Sequence, residues 1–429
     1  MHTKRSIYLD HAATTPTDPR VVASMAPYFT EEYGNPSSLY TTGRRAKQAL
    51  DDARARISRV FACTPEELIF TASGTESDNM AVLGIARAHA TRGKHLITTA
   101  IEHHAVLSAV AHLAKREGFD TTILPVDAYG MVTPEQVASA LREDTTLVSI
   151  MLANNEIGTI EPIAKIAHAI RQWKEQHGRT RADAPFFHTD ACQASGFLDL
   201  DVQKLGVDLM TVNGSKCYGP KGIGVLYKRR GVRIEPLVFG GGQEQRMRSG
   251  TENVPGAIGL ATALEIATGD REAESTRLTT LRDWFISEVQ QRVPKVVLNG
   301  HPTDRLPNNV NVSILDIEGE AALLYLDAKG IAAATGSACD SQTLDPSHVI
   351  LAIGRPYEYA HASIRFTFGR ATTREELAEV LDELPAIVKR LREISPVRLE
   401  MDAKKTVGSG ASRETAQALV GQRPHWESK

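Results

Sequence analysis

Cysteine is scarce in this chain of 429 residues: Cys63, Cys192, Cys217 and Cys339 stand singly. No paired spacing gives a disulfide framework or a zinc site, so each is read as a separate thiol and no metal is expected. Long apolar runs are also missing. No stretch reaches the ~18 apolar residues that span a bilayer, and Met1 to Arg20 holds no apolar core of a secretory leader. A cytoplasmic protein without membrane attachment is expected. Charge of one sign is absent too: 49 Lys and Arg stand against 52 Asp and Glu, a formal net charge of -3. With no long basic run there is no electrostatic footprint for nucleic acid, and a small-molecule substrate is expected. No repeat of fixed period occurs, which excludes solenoids and propellers.

What is present is an ordinary globular composition, 42% hydrophobic and 24% charged, on a chain long enough for two or three domains. From about Glu67 to Tyr227 short apolar runs (ELIFT, HLITTA, TTILPV, TLVSIM, FFHTD, LMTVN, GVLY) alternate with longer helical patterns. That rhythm predicts an α/β fold, a mostly parallel seven-stranded sheet covered by helices. A helical stretch from Pro255 to about Arg292 reads as a connector. LPNNVNVSI, GIAAAT and SIRFTF then read as strands of a smaller α+β unit. Thr372 with Glu375, or Thr373 with Glu376, forms a capping box before Leu377, Val380, Leu381, Leu384, Ile387 and Val388 at helical spacing. Beyond Pro396 the chain turns polar and Gly/Ser-rich, too poor in apolar residues to fold alone.

The chemistry collects at strand ends. In FFHTDACQ the apolar run stops at Asp190, which places a carboxylate at the carboxyl end of a strand, where α/β folds bind ligands. Taken alone it reads rather as a helix cap. One strand later LMTVN runs into Gly214, Ser215 and Lys216, an amine near the same edge. Alone, Lys216 reads as a solvated charge, but a partly buried lysine has a lowered pKa and can form an imine. The pair points to pyridoxal phosphate, whose pyridine nitrogen needs a carboxylate and whose aldehyde needs a lysine. TASGTESDN supplies a strand end and a helix start whose amides around Thr75 face an anion. Neither nucleotide loop signature, G-x-x-x-x-G-K-[ST] or a strand-linked G-x-G-x-x-G, occurs. His103, at another strand end, is positioned to stack on a flat ring. In SIRFTFGR, Arg365 alternates with apolar Ile364 and Phe366, so it is either a surface guanidinium or a clamp for a substrate carboxylate. Cys339 lies among small residues, Ala334 to Ser341, which suit an exposed loop. Cys63, Cys192 and Cys217 read as buried thiols.

In order, LDHAATTP, YGNPSS, SGTESDN, EHHAVL, NNEIG, HTDACQ, YGPKGIG, GGGQEQRMRSGTEN, GSACDS and SIRFTFGR make the stretch from Tyr8 to Pro396 resemble the cysteine desulfurases of the class-V aminotransferase family, in its long-loop group. The resemblance implies fold type I with pyridoxal 5'-phosphate as cofactor. It implies an N-terminal segment 1–15 packed on the small domain, a large domain 16–262, a small domain 263–400 with the cysteine loop, and a flexible tail 401–429. It implies that Lys216 binds the cofactor, Asp190 holds the pyridine nitrogen, His103 stacks on the ring, and Gln193 and Asn155 face its polar edge. Gly74, Thr75 and Ser215 would hold the phosphate, with Thr251 reaching across from the second subunit of a homodimer. Asn35 and Arg365 would hold the carboxylate of L-cysteine. Cys339 would take the sulfur as a persulfide and pass it to an acceptor protein, for iron-sulfur assembly or thiolation.

Two departures stand out. Family members commonly read Ser-x-His-Lys where this chain has Asn213-Gly214-Ser215-Lys216, which removes an imidazole from beside the phosphate. Asp340 follows the cysteine where Thr or Ser is common, and a carboxylate there raises the thiol pKa. The alternatives are another reaction on the same scaffold, aminotransfer or selenocysteine cleavage, and a non-catalytic sulfur carrier.

Overall fold

The structure is a computed structural model that describes residues 6–336, 346–396, 398 and 399. Cys339, Asp340 and the 401–429 tail therefore lie outside the described residues. Among the described residues no helix is long and apolar enough to cross a membrane.

In chain order the strands are β1 (Ile7–Tyr8), β2 (Leu68–Thr71), β3 (His95–Thr99), β4 (Asp120–Leu124), β5 (Thr145–Ser149), β6 (Phe186–Asp190), β7 (Leu209–Asn213), β8 (Gly224–Lys228), β9 (Val296–Leu298), β10 (Asn309–Ile314), β11 (Ile331–Ala332) and β12 (Ser363–Thr367). Seven form one sheet in the order β2-β8-β7-β6-β5-β3-β4, in which only β8 runs against its neighbours. Every apolar run singled out between Glu67 and Tyr227 is one of these strands. Most bury both faces, as the continuous apolar character of LIFT, HLITT and TTLVS requires of a sheet covered on two sides.

The smaller unit holds an antiparallel sheet, β12-β10-β9, and the parallel pair β1-β11. The start of the chain belongs to this unit: Ile7 pairs with Ile331, and the Thr367 amide donates to the Leu9 carbonyl at 2.7 Å. The segment GIAAAT is divided. Ile331–Ala332 pairs with β1, whereas Ala334 exchanges backbone hydrogen bonds with Arg365 of β12. Among the described residues two large apolar cores result, one under the large sheet and one around β10, β12 and the last helix, with a small third cluster of Val297, Leu315 and Tyr359.

Helix Val254–Arg292 belongs to both cores. Val254 to Ala267 pack in the first, and Leu278, Leu281, Phe285, Ile286 and Val289 pack in the second. Between these two packed stretches the helix passes through exposed turns after Ala267. The last helix, Arg374–Ile394, is capped by Thr373, whose hydroxyl accepts the Glu376 amide while Glu376 accepts the Thr373 amide.

Candidate active site

The strands that run parallel end at one edge of the large sheet, and the polar motifs collect there. Lys216 closes the short turn Gly214–Lys216 after β7. Its amine donates to the carbonyl oxygens of Ala12, at 2.7 Å, and Ala13, at 2.5 Å. The N-terminal segment thereby covers it. Burial lowers the Lys216 pKa, against the opposing pull of Cys192, Asp10 and Asp190 and with the help of Arg365. Gln193 donates from Nε2 to the same Ala12 carbonyl at 3.0 Å, so Lys216 and Gln193 meet on one acceptor.

Asp190, the last residue of β6, is buried, and its Oδ1 accepts the Cys192 amide at 2.9 Å. Asp78 and His188 stand beside it. Burial, then the Asp190 carboxylate, hold the Asp78 carboxyl well above the usual range. Burial pushes His188 down to about 4. The imidazole is fixed by Ser149 Oγ at Nδ1 (2.9 Å) and Thr211 Oγ1 at Nε2 (3.1 Å), and its Nε2 lies 3.7 Å from Asp78 Oδ1.

The helix Gly74–His89 begins beside these strand ends. Ser73 caps it by accepting the Glu76 amide at 3.1 Å, and the Thr75 side chain is exposed. A Cβ on Gly74 would sit 2.8 Å from Cys192 Sγ and 3.0 Å from Asn213 Nδ2, so only glycine lets the first turn approach β6 and β7 this closely. Asn213 Oδ1 in turn accepts the Ser215 hydroxyl at 3.3 Å. Gly74 and Ser215 are thus neighbours through Asn213. His103, half-buried, caps the helix His104–Glu117 by accepting the Ala105 amide at Nδ1.

Arg365 is 2% exposed, not a surface guanidinium. It donates to Asp10 Oδ1 at 2.8 Å and to the Asn155 carbonyl at 3.0 Å, which leaves Nε as a buried donor without a hydrogen-bond partner. Asn35 and Thr251 stand apart. Both are exposed, and their neighbours Pro36, Ser37 and Glu252 line a separate cleft of about 810 Å³ that does not contain Lys216 or Asp190.

Burial raises the other three thiols, Cys63 to about 12, Cys217 to about 11, and Cys192 well above the ordinary range. None of the three is a thiolate at neutral pH. Among the described residues no cluster of His, Cys, Asp and Glu is arranged to hold a metal ion.

Two residues of this edge carried no role in the sequence reading. Asp10 has no local signal, since its partner Arg365 is 355 positions away. Asp78 has one: it falls in the stripe Gly74, Ser77, Asp78, Ala81, Val82, Ile85 on the buried side of its helix, an acid where the period calls for a small or apolar residue.

The family model for class-V aminotransferases matches residues 7–380. A cysteine desulfurase IscS of Dictyoglomus turgidum is 48% identical over 402 residues, 94% of this chain and 99% of the relative. One of Methanosarcina thermophila is 49% identical over 393 residues, 92% of this chain and 94% of the relative. Among solved structures, a NifS-like protein superposes with a TM-score of 0.83 at 34% identity, covering 90% of this chain and 100% of its own. SspA in complex with cysteine superposes with a TM-score of 0.73 at 32% identity, covering 85% of this chain and 99% of its own.

Proposed function

Because the chain belongs to the class-V aminotransferase family, with fold type I, and is a cysteine desulfurase within it, we propose that it takes sulfur from free L-cysteine at the Lys216 edge of the sheet and carries it as a persulfide on Cys339. The observation that carries this reading is the Lys216 amine, desolvated, lowered in pKa and electrostatically coupled to the strand-end carboxylate Asp190. The family depends on pyridoxal 5'-phosphate, which when bound supplies an electron sink for bonds at the substrate Cα.

The residues fit that cofactor. Lys216 would hold its aldehyde and Asp190 its pyridine nitrogen, with Asp78 and the neutral His188 behind. Its ring would lie against His103, and its polar edge would face Gln193 and Asn155. Gly74 leaves the first helical amides open toward Ser215, a cradle that a Cβ would fill, so Gly74, Thr75 and Ser215 form the phosphate end. Thr251 would join them from a second copy, which makes the working unit a homodimer.

Lys216 would hold the proton taken from the substrate Cα, a task suited to its lowered pKa. Arg365 meets the substrate carboxylate, and the guanidinium exchanges its Asn155 carbonyl for that stronger acceptor, whereas Asn35, apart from it within this chain, would have to be brought to the same carboxylate. His103 holds a proton at the ring face. The Cys339 thiolate attacks the substrate sulfur: the bond from Cβ to Sγ breaks, a sulfur–sulfur bond forms, and the carbon keeps the electron pair and gains a proton. L-Cysteine and the thiol thereby become L-alanine and the persulfide, which an acceptor protein then takes in the cytoplasm.

The test is mass spectrometry after incubation with L-cysteine. One added sulfur is expected on the peptide containing Cys339, with alanine formed in equal amount to the sulfur released. Lys216→Ala should lower alanine production by roughly 10³-fold or more. Cys339→Ser should keep the cofactor absorbance and lose the added sulfur. Full-rate sulfide release from Cys339→Ser would refute the assignment of the thiol.

A further inference from the structure

The sheet has a second polar site, at the edge where β6 and β7 begin, a strand length from Lys216. There the helix Ile163–Gln176 buries Ile163, Ile166, Ala167, Ile170, Trp173 and Lys174. These positions form one helical stripe, and its last place, four residues after Ile170, is held by a lysine where the period calls for an apolar side chain. Lys174 is 5% exposed. Its amine lies 5.6 Å from the centre of the Phe186 ring, and among the described residues no hydrogen bond or ion pair reaches it.

One acid of the cavity wall beside Lys174 is already engaged. Asp208 gives Oδ1 to Arg229 Nε at 2.6 Å and Oδ2 to the Phe187 amide at 2.9 Å. The amine faces the cavity, and a largely desolvated ammonium without a protein acceptor is stabilised when an anion enters. Space for one exists: Lys174 lines a cavity of about 180 Å³ floored by Ile170, Phe187 and Gly206. Arg171, Arg179 and Arg181 line the same cavity, with Glu175 and Asp208 as the acids. Arg179 is held by the carbonyls of Ala184 and Glu143, whereas Arg171 and Arg181 stand exposed at the mouth. Cations exceed acids in the lining, and Arg229 neutralises one of those acids.

We propose that this cavity binds a small oxyanion of the phosphate class, with Lys174 as the buried donor and Arg171 and Arg181 closing over it from the mouth. The volume excludes a nucleotide, and the unpartnered amine excludes an apolar guest. A compact, strongly charged lysine with flanking guanidinium groups is a phosphate-binding set, with the lysine acting as a point charge and the arginines as forks. The site is independent of the chemistry at Lys216.

The test uses the cofactor-loaded, full-length enzyme. Burial lowers the Lys174 pKa to about 8, so brief acetylation at pH 8, read by mass spectrometry, labels it, with the exposed Lys165 of the same helix as reference. Inorganic phosphate is expected to slow labelling of Lys174 at least fivefold against chloride of equal ionic strength, without changing Lys165 or the cofactor absorbance. Glycerol 2-phosphate separates the sources: equal protection means that phosphate monoesters enter, and protection by inorganic phosphate alone means that the free ion is the ligand. Arg171→Gln at the rim should weaken protection about threefold and leave the melting temperature in chloride unchanged. Lys174 labelling that is indifferent to phosphate, acetate protecting as well as phosphate, or a Lys174 that never labels while Lys165 does would each overturn the proposal.

Discussion

Glu102 lies fully buried behind the active-site edge, its Oε1 accepting the Thr99 hydroxyl at 2.7 Å and the Met151 amide at 3.0 Å, while Oε2 has no partner. Burial pushes its pKa up to about 8 from 4.5. The native carboxyl therefore keeps a proton that the unfolded chain releases, and stability falls as pH rises from about 4.5 to about 8. The slope contributed by one such group is at most about 1.4 kcal/mol per pH unit. Glu102→Gln, which cannot ionise, should remove that share of the slope, checked by denaturant unfolding at pH 5, 6.5 and 8; parallel profiles for the two proteins would contradict the raised pKa. Gly74→Ala places a methyl 2.8 Å from Cys192 Sγ. Overpacking of about 1–3 kcal/mol should weaken cofactor retention tenfold or more by equilibrium dialysis, and a second change, Cys192→Ala, should restore part of it. The placement of Lys216 and Asp190 at strand ends was legible because each ends an apolar run in polar residues. The burial of Arg365 was not, since SIRFTF alternates in the same way whether or not Asp10 lies beneath it.

At the scale of elements, most strands were legible as runs of β-branched or apolar residues, whereas β1 and β9 were not. β1 has two residues and β9 three, too few to display alternation. Each exists because a neighbouring strand supplies its hydrogen bonds. The choice between two overlapping capping boxes was likewise decided by structure, where Thr373 and not Thr372 takes the Glu376 amide. Thr372 is occupied elsewhere, its hydroxyl accepting the Gly369 amide at 2.9 Å. Thr373→Ala should therefore cost about 1 kcal/mol of stability, measured as a lower denaturant midpoint with unchanged slope, whereas an unaltered midpoint would mean that the reciprocal bonds add nothing.

At the scale of the molecule, helix Val254–Arg292 is a rod that shares two apolar cores, and its middle turns, including Ala273, are exposed. Ala273→Pro removes a helical hydrogen bond without touching either core and costs about 3 kcal/mol locally. Calorimetry should give one transition for the native chain and two for the variant; a single unshifted transition in both would mean that the helix does not couple the units. What the sequence determined by itself was the periodicity of the elements and the chemical character of each motif, because strand runs, caps and strand-end polar residues are local. Tertiary structure alone decided which charges have partners. Asp10 pairs with Arg365, Asp78 is a buried acid whose pKa is raised beside Asp190, and Lys174 is left without a protein acceptor, since desolvation and pairing depend on side chains that the chain brings together from distant positions.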